Sequence, residues 1–424
     1  MTTRQPRVQR PELPGSDERK GTAAVVAVKR VFGAETGNYF LLLGTTLFLV
    51  IFGVIMVLSS SFVESFSQTD GFFGSFLRQG AFALIGIPLM LIAARMPIDF
   101  WKRWSWAAIA FAVLLQLLVF VPGLGFETGG NRNWIRIGQF SAQPSELVKL
   151  ALVLWLAWII TKKHKLMNDW RHVALPIVPV AGLAIGLVLL GNDLGTAIIM
   201  LAIVLGGLYY AGVRLRIIFT AIVIVAAVGI AFATFSSSRT SRISAWLNGC
   251  TSQSDFQNDC WQTVHGWWAL ASGGVMGSGL GSSHAKWNWL PEADNDFIFA
   301  IVGDELGLIG ALVVLALFVV LAISFIRIIR SSRDPYAKLV TSGVMIWIIG
   351  QAFVNIAVVL GVLPVLGVPL PLISAGGSAL VTSLVAIGVV LSFARHAPET
   401  TTASSDFTPQ ERSRAAAANR KILS

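Results

Sequence analysis

The chain has 424 residues, of which 55% are hydrophobic and only 13% are charged, with a mean hydropathy of +0.72. A soluble surface usually requires roughly 25% charged residues overall. The composition therefore excludes a disordered chain, a disulfide scaffold and an ordinary soluble enzyme. It indicates an integral membrane protein whose core is a helix bundle in lipid.

Apolar runs recur along most of the chain, and a helix that crosses a bilayer needs about 20 mainly apolar residues. The runs are continuous rather than alternating, which excludes a transmembrane β-barrel. We therefore predict an all-α integral membrane protein with ten transmembrane helices. The predicted spans are roughly 39–61, 79–95, 105–124, 144–161, 173–190, 196–213, 217–235, 303–327, 339–362 and 376–394.

The positions of Lys and Arg orient this bundle, because cytoplasmic loops of membrane proteins are enriched in both residues. With the N-terminus inside, 25 of the 32 Lys and Arg residues fall in cytoplasmic segments. The sequence therefore predicts that both termini are cytoplasmic. The net charge of +10 follows mostly from this topology and does not indicate nucleic-acid binding. The polar tails 1–37 and 397–424 are predicted to be disordered on either side of a membrane domain at 38–396.

Two outer segments are longer than the other connections, and long loops in compact proteins are usually functional or disordered. The first is 125–143, and the second is a large extracellular loop at about 236–302, between the seventh and eighth predicted helices. Cys250 and Cys260 are the only cysteines, and both lie in the second loop. An outer compartment permits a disulfide, which we predict, with two free thiols as the alternative.

A glycine-rich run, ASGGVMGSGLGSS, occupies 271–283 of the same loop. It does not lie between a strand and a helix, and no P-loop motif occurs in the chain, so ATP hydrolysis is not indicated. We predict a tight re-entrant turn in which backbones approach closely. Exposed amides that bind a phosphate remain the alternative.

Carboxylates are concentrated around the N-terminal end of the eighth predicted helix, where five acids fall within 292–305. Asp296 directly precedes the apolar FIFAIV, so it either caps the helix or acts as a general base or metal ligand.

Glu146 and Lys149 share one face of the fourth helix. They form either a stabilising ion pair or part of a polar cavity. Asp193 is either a helix cap or a site residue, and the histidine spacing does not indicate zinc.

Several motifs together resemble the SEDS family (shape, elongation, division, sporulation), over roughly 38–396. The motifs are GNRNWIRIGQFSAQPSELVKL, NDLGTA, WQTVHGWWALASGGVMGSGLG, KWNWLPEADNDFIFAIVGDELG and QAFVNIAVVLGVLPVLGVPLPLISAGGSAL. The KWNWLPEADNDFIFA segment is more similar to the actinobacterial FtsW branch of that family than to its RodA branch. The resemblance implies a peptidoglycan glycosyltransferase that polymerises lipid II outside the cytoplasmic membrane, with a septal role in cell division.

The resemblance also implies roles for individual residues. Asp296 corresponds to the essential acid of the family and would accept a proton from the acceptor sugar. The predicted substrate-binding residues are the motif pair on the fourth helix, two serines of the last outer loop and outer cations for the pyrophosphate. They are Glu146, Lys149, Ser374, Ser378, Arg132, Arg136 and Lys286.

The resemblance further implies a class B penicillin-binding transpeptidase, other division proteins and membrane lipid as partners, with no nucleic acid. A divalent cation, Mg²⁺ or Mn²⁺, would neutralise the leaving pyrophosphate.

Two alternatives to the glycosyltransferase function remain, a lipid II flippase and a non-catalytic scaffold of the division machinery. Transporters usually place their sites near the bilayer midplane between repeated halves. Here the acids lie on one side and no repeat is evident, which favours an enzyme.

Overall fold

The structure is a computed structural model that describes residues 36–67, 74–128, 130–138, 140–166, 169–234, 237–250, 260–283 and 290–395. Helices dominate it, and a small sheet lies between the third and fourth helices. The helices are α1 Gly37–Ser67, α2 Gly74–Ala93, α3 Ile98–Leu118, α4 Pro144–Lys163, α5 Trp170–Leu190, α6 Leu194–Tyr210, α7 Leu215–Thr234, α8 Ser237–Leu247, α9 Trp261–Gly273, α10 Ile298–Ser331, α11 Pro335–Val359 and α12 Ser378–Arg395. The strands are β1 Gly125–Thr128, β2 Asn131–Ile137 and β3 Phe140–Ala142. The predicted disordered tails lie almost wholly outside the described residues.

Each of the ten predicted spans overlaps one helix. In the described part of the chain, seven helices are long and apolar enough to cross a membrane: α1, α2, α4, α5, α10, α11 and α12. Shorter apolar stretches lie in α6 and α7. These helices support a multi-pass membrane protein. The boundaries predicted for the third span, 105–124, are wrong, because α3 begins directly after Pro97 and ends before Pro122. Its charged first turns are helical despite their polarity.

Helix α4 lies at the centre of the bundle. It packs against α3, α11, α6 and α12, and 83% of its apolar stretch is buried, more than in any other candidate span. Trp155, near its middle, is fully buried. A helix that is apolar on all sides is expected at the core of a large bundle. The enclosure of α4 places Glu146 and Lys149, near its N-terminus, inside the protein.

The three-stranded sheet was not predicted from the sequence. β2 pairs antiparallel with both neighbours, in the order β1-β2-β3. The amide of Arg132 donates to the carbonyl of Gly191 at 2.8 Å, and Gln116 Nε2 donates to Asn133 Oδ1 at 2.9 Å. These bonds fix the sheet to the ends of α5 and α3. Within β2, Asn133 and Ile135 are buried and Trp134 between them is partly exposed, which is the alternation expected of a strand.

The glycine-rich run forms a tight turn against a break in α10. Gly307 has a φ of 67° and interrupts the helix. The amides of Ser278 and Gly279 donate to the carbonyls of Asp304 and Glu305 at 2.9 and 3.0 Å. Two amides after the break donate back to the run at 2.9 and 3.3 Å. Backbone groups released by the break are thereby satisfied within the protein, as a membrane requires. The predicted turn is confirmed, and these amides are not available to a phosphate.

Two glycines of this run allow a matched test of the close approach. Gly277 and Gly281 have φ angles of 81° and 82°. A Cβ on Gly277 would lie 2.2 Å from the Glu305 carbonyl oxygen, whereas a Cβ on Gly281 meets no described residue within 4 Å. Both alanine variants carry the left-handed strain of about 1–2 kcal/mol. We expect Gly277→Ala to lower the melting temperature clearly more than Gly281→Ala in detergent. Equal losses would contradict the backbone contact.

The predicted disulfide is confirmed. Cys250 and Cys260 are bonded, with their Cα atoms 5.7 Å apart. Cys260 packs with Ala245 and Val264 in a small apolar cluster that Trp267 also contacts. The bond joins the end of α8 to the start of α9. Both helices are ordered parts of the large outer loop, whose 251–259 and 284–289 segments lie outside the described residues.

Candidate active site

The segment that carries Asp296 is fixed through its backbone. Three consecutive carbonyl groups, at 294–296, each accept a hydrogen bond from α11 or from the last outer segment, 360–377. The donors are Ala375 N, Ser374 Oγ and Asn355 Nδ2, at 2.9, 2.6 and 2.7 Å. These three hydrogen bonds clamp the backbone at Asp296, and so fix the position of its Cα, without using its carboxylate. A preorganised group of this kind is what a catalytic acid or base requires.

The Asp296 carboxylate has no hydrogen bond or ion pair with the described residues. The N-cap of α10 is Phe297, and no side chain caps this helix. The helix-cap interpretation of Asp296 is therefore wrong. A Cβ built on Gly367 would lie 3.7 Å from Asp296 Oδ2, so the last outer segment borders the carboxylate. The residue as a whole is partly exposed, whereas the segments around its carboxylate remove water from that group.

Burial raises the pKa of the Asp296 carboxyl to about 7. The surrounding segments desolvate the carboxylate, which disfavours its charged form. Negative charges on Glu292, Asp193 and Asp294 raise the pKa further, in that order. A general base is most effective when its pKa lies near the working pH. The electrostatics of this loop therefore suit Asp296 to proton transfer near neutrality.

Asp193 caps α6 and also borders this site. Its Oδ1 accepts a hydrogen bond from the Thr196 amide at 2.8 Å, and its Oδ2 accepts one from Gln143 Nε2 at 3.0 Å. The cap interpretation is confirmed. A Cβ built on Gly195, in the first turn of α6, would lie 2.4 Å from the Leu366 carbonyl oxygen, and the neighbouring Gly367 borders Asp296. The turn between α5 and α6 therefore lies near the outer acidic loop. The same turn contains Gly191, to which the small sheet is bonded.

Glu146 and Lys149 form a buried ion pair. The Lys149 Nζ lies 2.8 Å from Glu146 Oε1, and their side chains are 1% and 3% exposed. The ammonium also donates to Gln351 Oε1 at 2.9 Å and lies 4.9 Å from the centre of the Trp347 ring. Glu146 Oε2 has no hydrogen-bond partner among the described residues. The ion-pair interpretation is confirmed, and this pair faces the protein interior.

One face of α11 connects the ion pair to the acidic loop, and sequence reasoning missed it. Gln351 accepts from Lys149 and donates through Nε2 to the Pro369 carbonyl at 2.9 Å. One turn later, Asn355 Nδ2 donates to the carbonyls of Asp296 and Val368, both at 2.7 Å. The signal available in the sequence was two amides four residues apart within an apolar helix, which places them on one face.

The other predicted substrate-binding residues occupy varied positions. Ser374 Oγ accepts from the Leu370 amide at 2.8 Å and is buried, and Ser378 Oγ accepts from the Gln143 amide at 3.0 Å. Both hydroxyls join outer segments to each other.

Arg132 and Arg136 lie on β2, where the Arg136 guanidinium is 4.1 Å from the centre of the Phe126 ring. Lys286 lies outside the described residues. A role in substrate binding remains a prediction for all of them.

Comparison with known proteins agrees with the motifs. A family model described as "Cell cycle protein", FtsW/RodA/SpoVE, matches residues 39–399. The chain belongs to this family. It is 39% identical over 372 residues to a protein of Mycobacterium tuberculosis named probable peptidoglycan glycosyltransferase FtsW, covering 87% of this chain and 70% of the relative. It is 35% identical to stage V sporulation protein E of Bacillus subtilis, covering 85% and 98%. The family predicted from the sequence is confirmed.

Solved structures share the fold of this family member. One chain comes from a peptidoglycan synthase complex described as coordinating polymerization and crosslinking. It matches with a TM-score of 0.67 at 24% identity, over 84% of this chain and 98% of that chain. RodA of Thermus thermophilus matches with a TM-score of 0.61 at 23% identity, over 84% and 97%. These similarities support the helical architecture.

Proposed function

We propose that this protein is a peptidoglycan glycosyltransferase that polymerises lipid II at the outer face of the cytoplasmic membrane. Septal synthesis during cell division is its proposed role. Relatives named probable peptidoglycan glycosyltransferase FtsW, at 36–39% identity, support this assignment. The observation that carries it is Asp296, whose backbone is clamped while its carboxylate stays unpaired within the described residues. The proposed topology has ten spans and both termini in the cytoplasm.

The proposed reaction is a single displacement. Asp296 accepts the proton of the 4-hydroxyl of the acceptor's N-acetylglucosamine. The hydroxyl oxygen forms a bond to C1 of the donor's N-acetylmuramic acid, and the bond from C1 to the pyrophosphate oxygen breaks. Undecaprenyl pyrophosphate leaves with the bonding electron pair. One base and no protein nucleophile give inversion at C1. Arg132, Arg136 and Lys286 are proposed to neutralise the pyrophosphate.

The divalent cation, Mg²⁺ or Mn²⁺, remains a prediction. Among the described residues, no group of three or more His, Cys, Asp and Glu side chains is placed to hold an ion. Within the part of the chain that the structure describes, the side chains therefore do not form a protein cage for a metal, and no step of the proposed reaction depends on one.

The proposed partner is a class B penicillin-binding transpeptidase, together with other division proteins. The similarity to a chain of a peptidoglycan synthase complex supports this proposal. The decisive experiment is lipid II polymerisation by the purified protein with and without the transpeptidase. Glycan strands would support the enzyme. Lipid II scrambling in vesicles without strands would favour the flippase, and neither activity in folded protein would favour a scaffold.

The raised pKa of Asp296 predicts the pH dependence of polymerisation. The base must be deprotonated, so we expect the rate to rise from pH 6 to pH 8 with a midpoint near the Asp296 pKa of about 7. Glu292→Gln removes the negative charge that raises the pKa of Asp296 more than any other neighbouring charge does. The charged form of Asp296 then becomes easier to form, and the midpoint moves to lower pH. An unchanged midpoint in Glu292→Gln would contradict the proposed electrostatics.

A further inference from the structure

A cavity lies at the opposite ends of the helices from Asp296. It has a volume of about 260 Å³. Its position is set by the first turns of α3 and α11 and the last turns of α4. The lining residues are Lys102, Trp158, Thr161, Lys162 and Tyr336. Lys162 lies sixteen residues after Glu146 on α4, which is about 24 Å along the helix axis. The cavity is therefore separate from the candidate active site.

Two ammonium groups lie over aromatic rings beside this cavity. Lys162 Nζ is 4.6 Å from the centre of the Trp158 ring, and Lys102 Nζ is 5.7 Å from the centre of the Tyr336 ring. Tyr336 is fully buried, so its ring forms part of a fixed wall. Lysine stems and aromatic rings together give an apolar wall with a positive rim. Aromatic and basic side chains of this kind are enriched where membrane proteins meet lipid headgroups.

The charges around the cavity favour an anion. Lys102 is paired with Asp334 at 2.6 Å. Among the described residues, Lys162 has no acidic partner, and the residue is exposed. Asp334 already makes two interactions, because it pairs with Lys102 and also accepts a hydrogen bond from the Tyr336 amide as the N-cap of α11. Within the described part of the chain, the positive charge of Lys162 at the rim is therefore uncompensated.

We propose that this cavity binds the headgroup of an anionic phospholipid. The phosphodiester contacts the Lys162 ammonium, and the apolar part of the lipid packs against Trp158 and the lysine stems. Basic pockets between transmembrane helices on the Lys-rich side of a protein are suited to such headgroups. The lipid would join the ends of α3, α4 and α11 and so stabilise the bundle around the central helix. This site is independent of the proposed glycosyltransferase activity.

Lys162→Gln tests this proposal, with Lys163→Gln as the matched control. Both lysines lie in the last turn of α4, but only Lys162 lines the cavity. The full chain in detergent is titrated with dioleoylphosphatidylglycerol or dioleoylphosphatidylcholine. Bound lipid is counted by native mass spectrometry, and the melting temperature is recorded. A separate titration uses inorganic phosphate.

We expect the wild type to bind phosphatidylglycerol more tightly than phosphatidylcholine and to gain melting temperature with it. Lys162→Gln should weaken that binding about fivefold, and Lys163→Gln should leave it nearly unchanged. Without added lipid, both variants should melt at the wild-type temperature. Equal binding of the two lipids, or equal loss in the two variants, overturns the site. Inorganic phosphate that competes with phosphatidylglycerol would assign the cavity to free anions instead.

Discussion

Asp296→Asn is expected to abolish glycan polymerisation while leaving the protein folded. Asparagine keeps the shape of the side chain and the backbone carbonyl that accepts from Asn355, but it cannot take a proton. Loss of a general base typically costs a factor of about 10²–10⁴ in rate. The measurement is strand formation from lipid II in the presence of the transpeptidase. Polymerisation at the wild-type rate in this variant would remove Asp296 from the proposed reaction.

Glu292→Gln is the matched control for this substitution. Glu292 is an exposed carboxylate of the same loop, so its neutralisation changes the charge by the same amount. We expect it to keep polymerisation activity.

The stability of Asp296→Asn can be separated from its activity by pH. Because the pKa of Asp296 is raised in the folded protein, ionisation costs stability as the pH rises through about 7. Asp296→Asn should therefore be at least as stable as the wild type at pH 8.

Lys149→Met is expected to destabilise the protein strongly. It removes the ammonium from Glu146 and leaves a carboxylate inside the bundle with no compensating charge. Breaking a buried pair by removing one partner costs roughly 3–5 kcal/mol. Gln351 also loses one of the two donors to its Oε1. The measurement is the melting temperature of the purified protein in detergent, compared with Lys163→Met on the same helix.

The double variant Glu146→Gln with Lys149→Met distinguishes charge from packing. Replacing both charges removes the desolvation cost that the single variant leaves, because neutral groups are less costly to bury. We expect the double variant to recover a large part of the lost melting temperature. Recovery of stability without recovery of polymerisation would assign the pair a role in the site beyond folding. A single variant as stable as Lys163→Met would show that the buried charge is compensated by other groups.

Local sequence patterns were sufficient to predict the positions of the helices, the disulfide and the contact between Glu146 and Lys149. Long apolar runs located ten segments that overlap helices, because hydrophobic length alone determines whether a helix suits a membrane. The spacing of Glu146 and Lys149 predicted a shared face, and the ion pair follows directly. The disulfide joins two residues only ten positions apart. The family resemblance singled out Asp296 before any geometry was known.

Only the tertiary structure decided what surrounds Asp296. Asn355 reaches it from 59 positions away, and Ser374 reaches its neighbour Asn295 from 79 positions away. The break at Gly307 likewise depends on a turn some thirty residues earlier in the chain. Hydrophobic periodicity reports whether a residue is buried, but it carries no information on which distant segment packs beside it. The raised pKa of Asp296, and the absence of a partner for its carboxylate among the described residues, therefore arise from the convergence of outer segments that the bundle holds together.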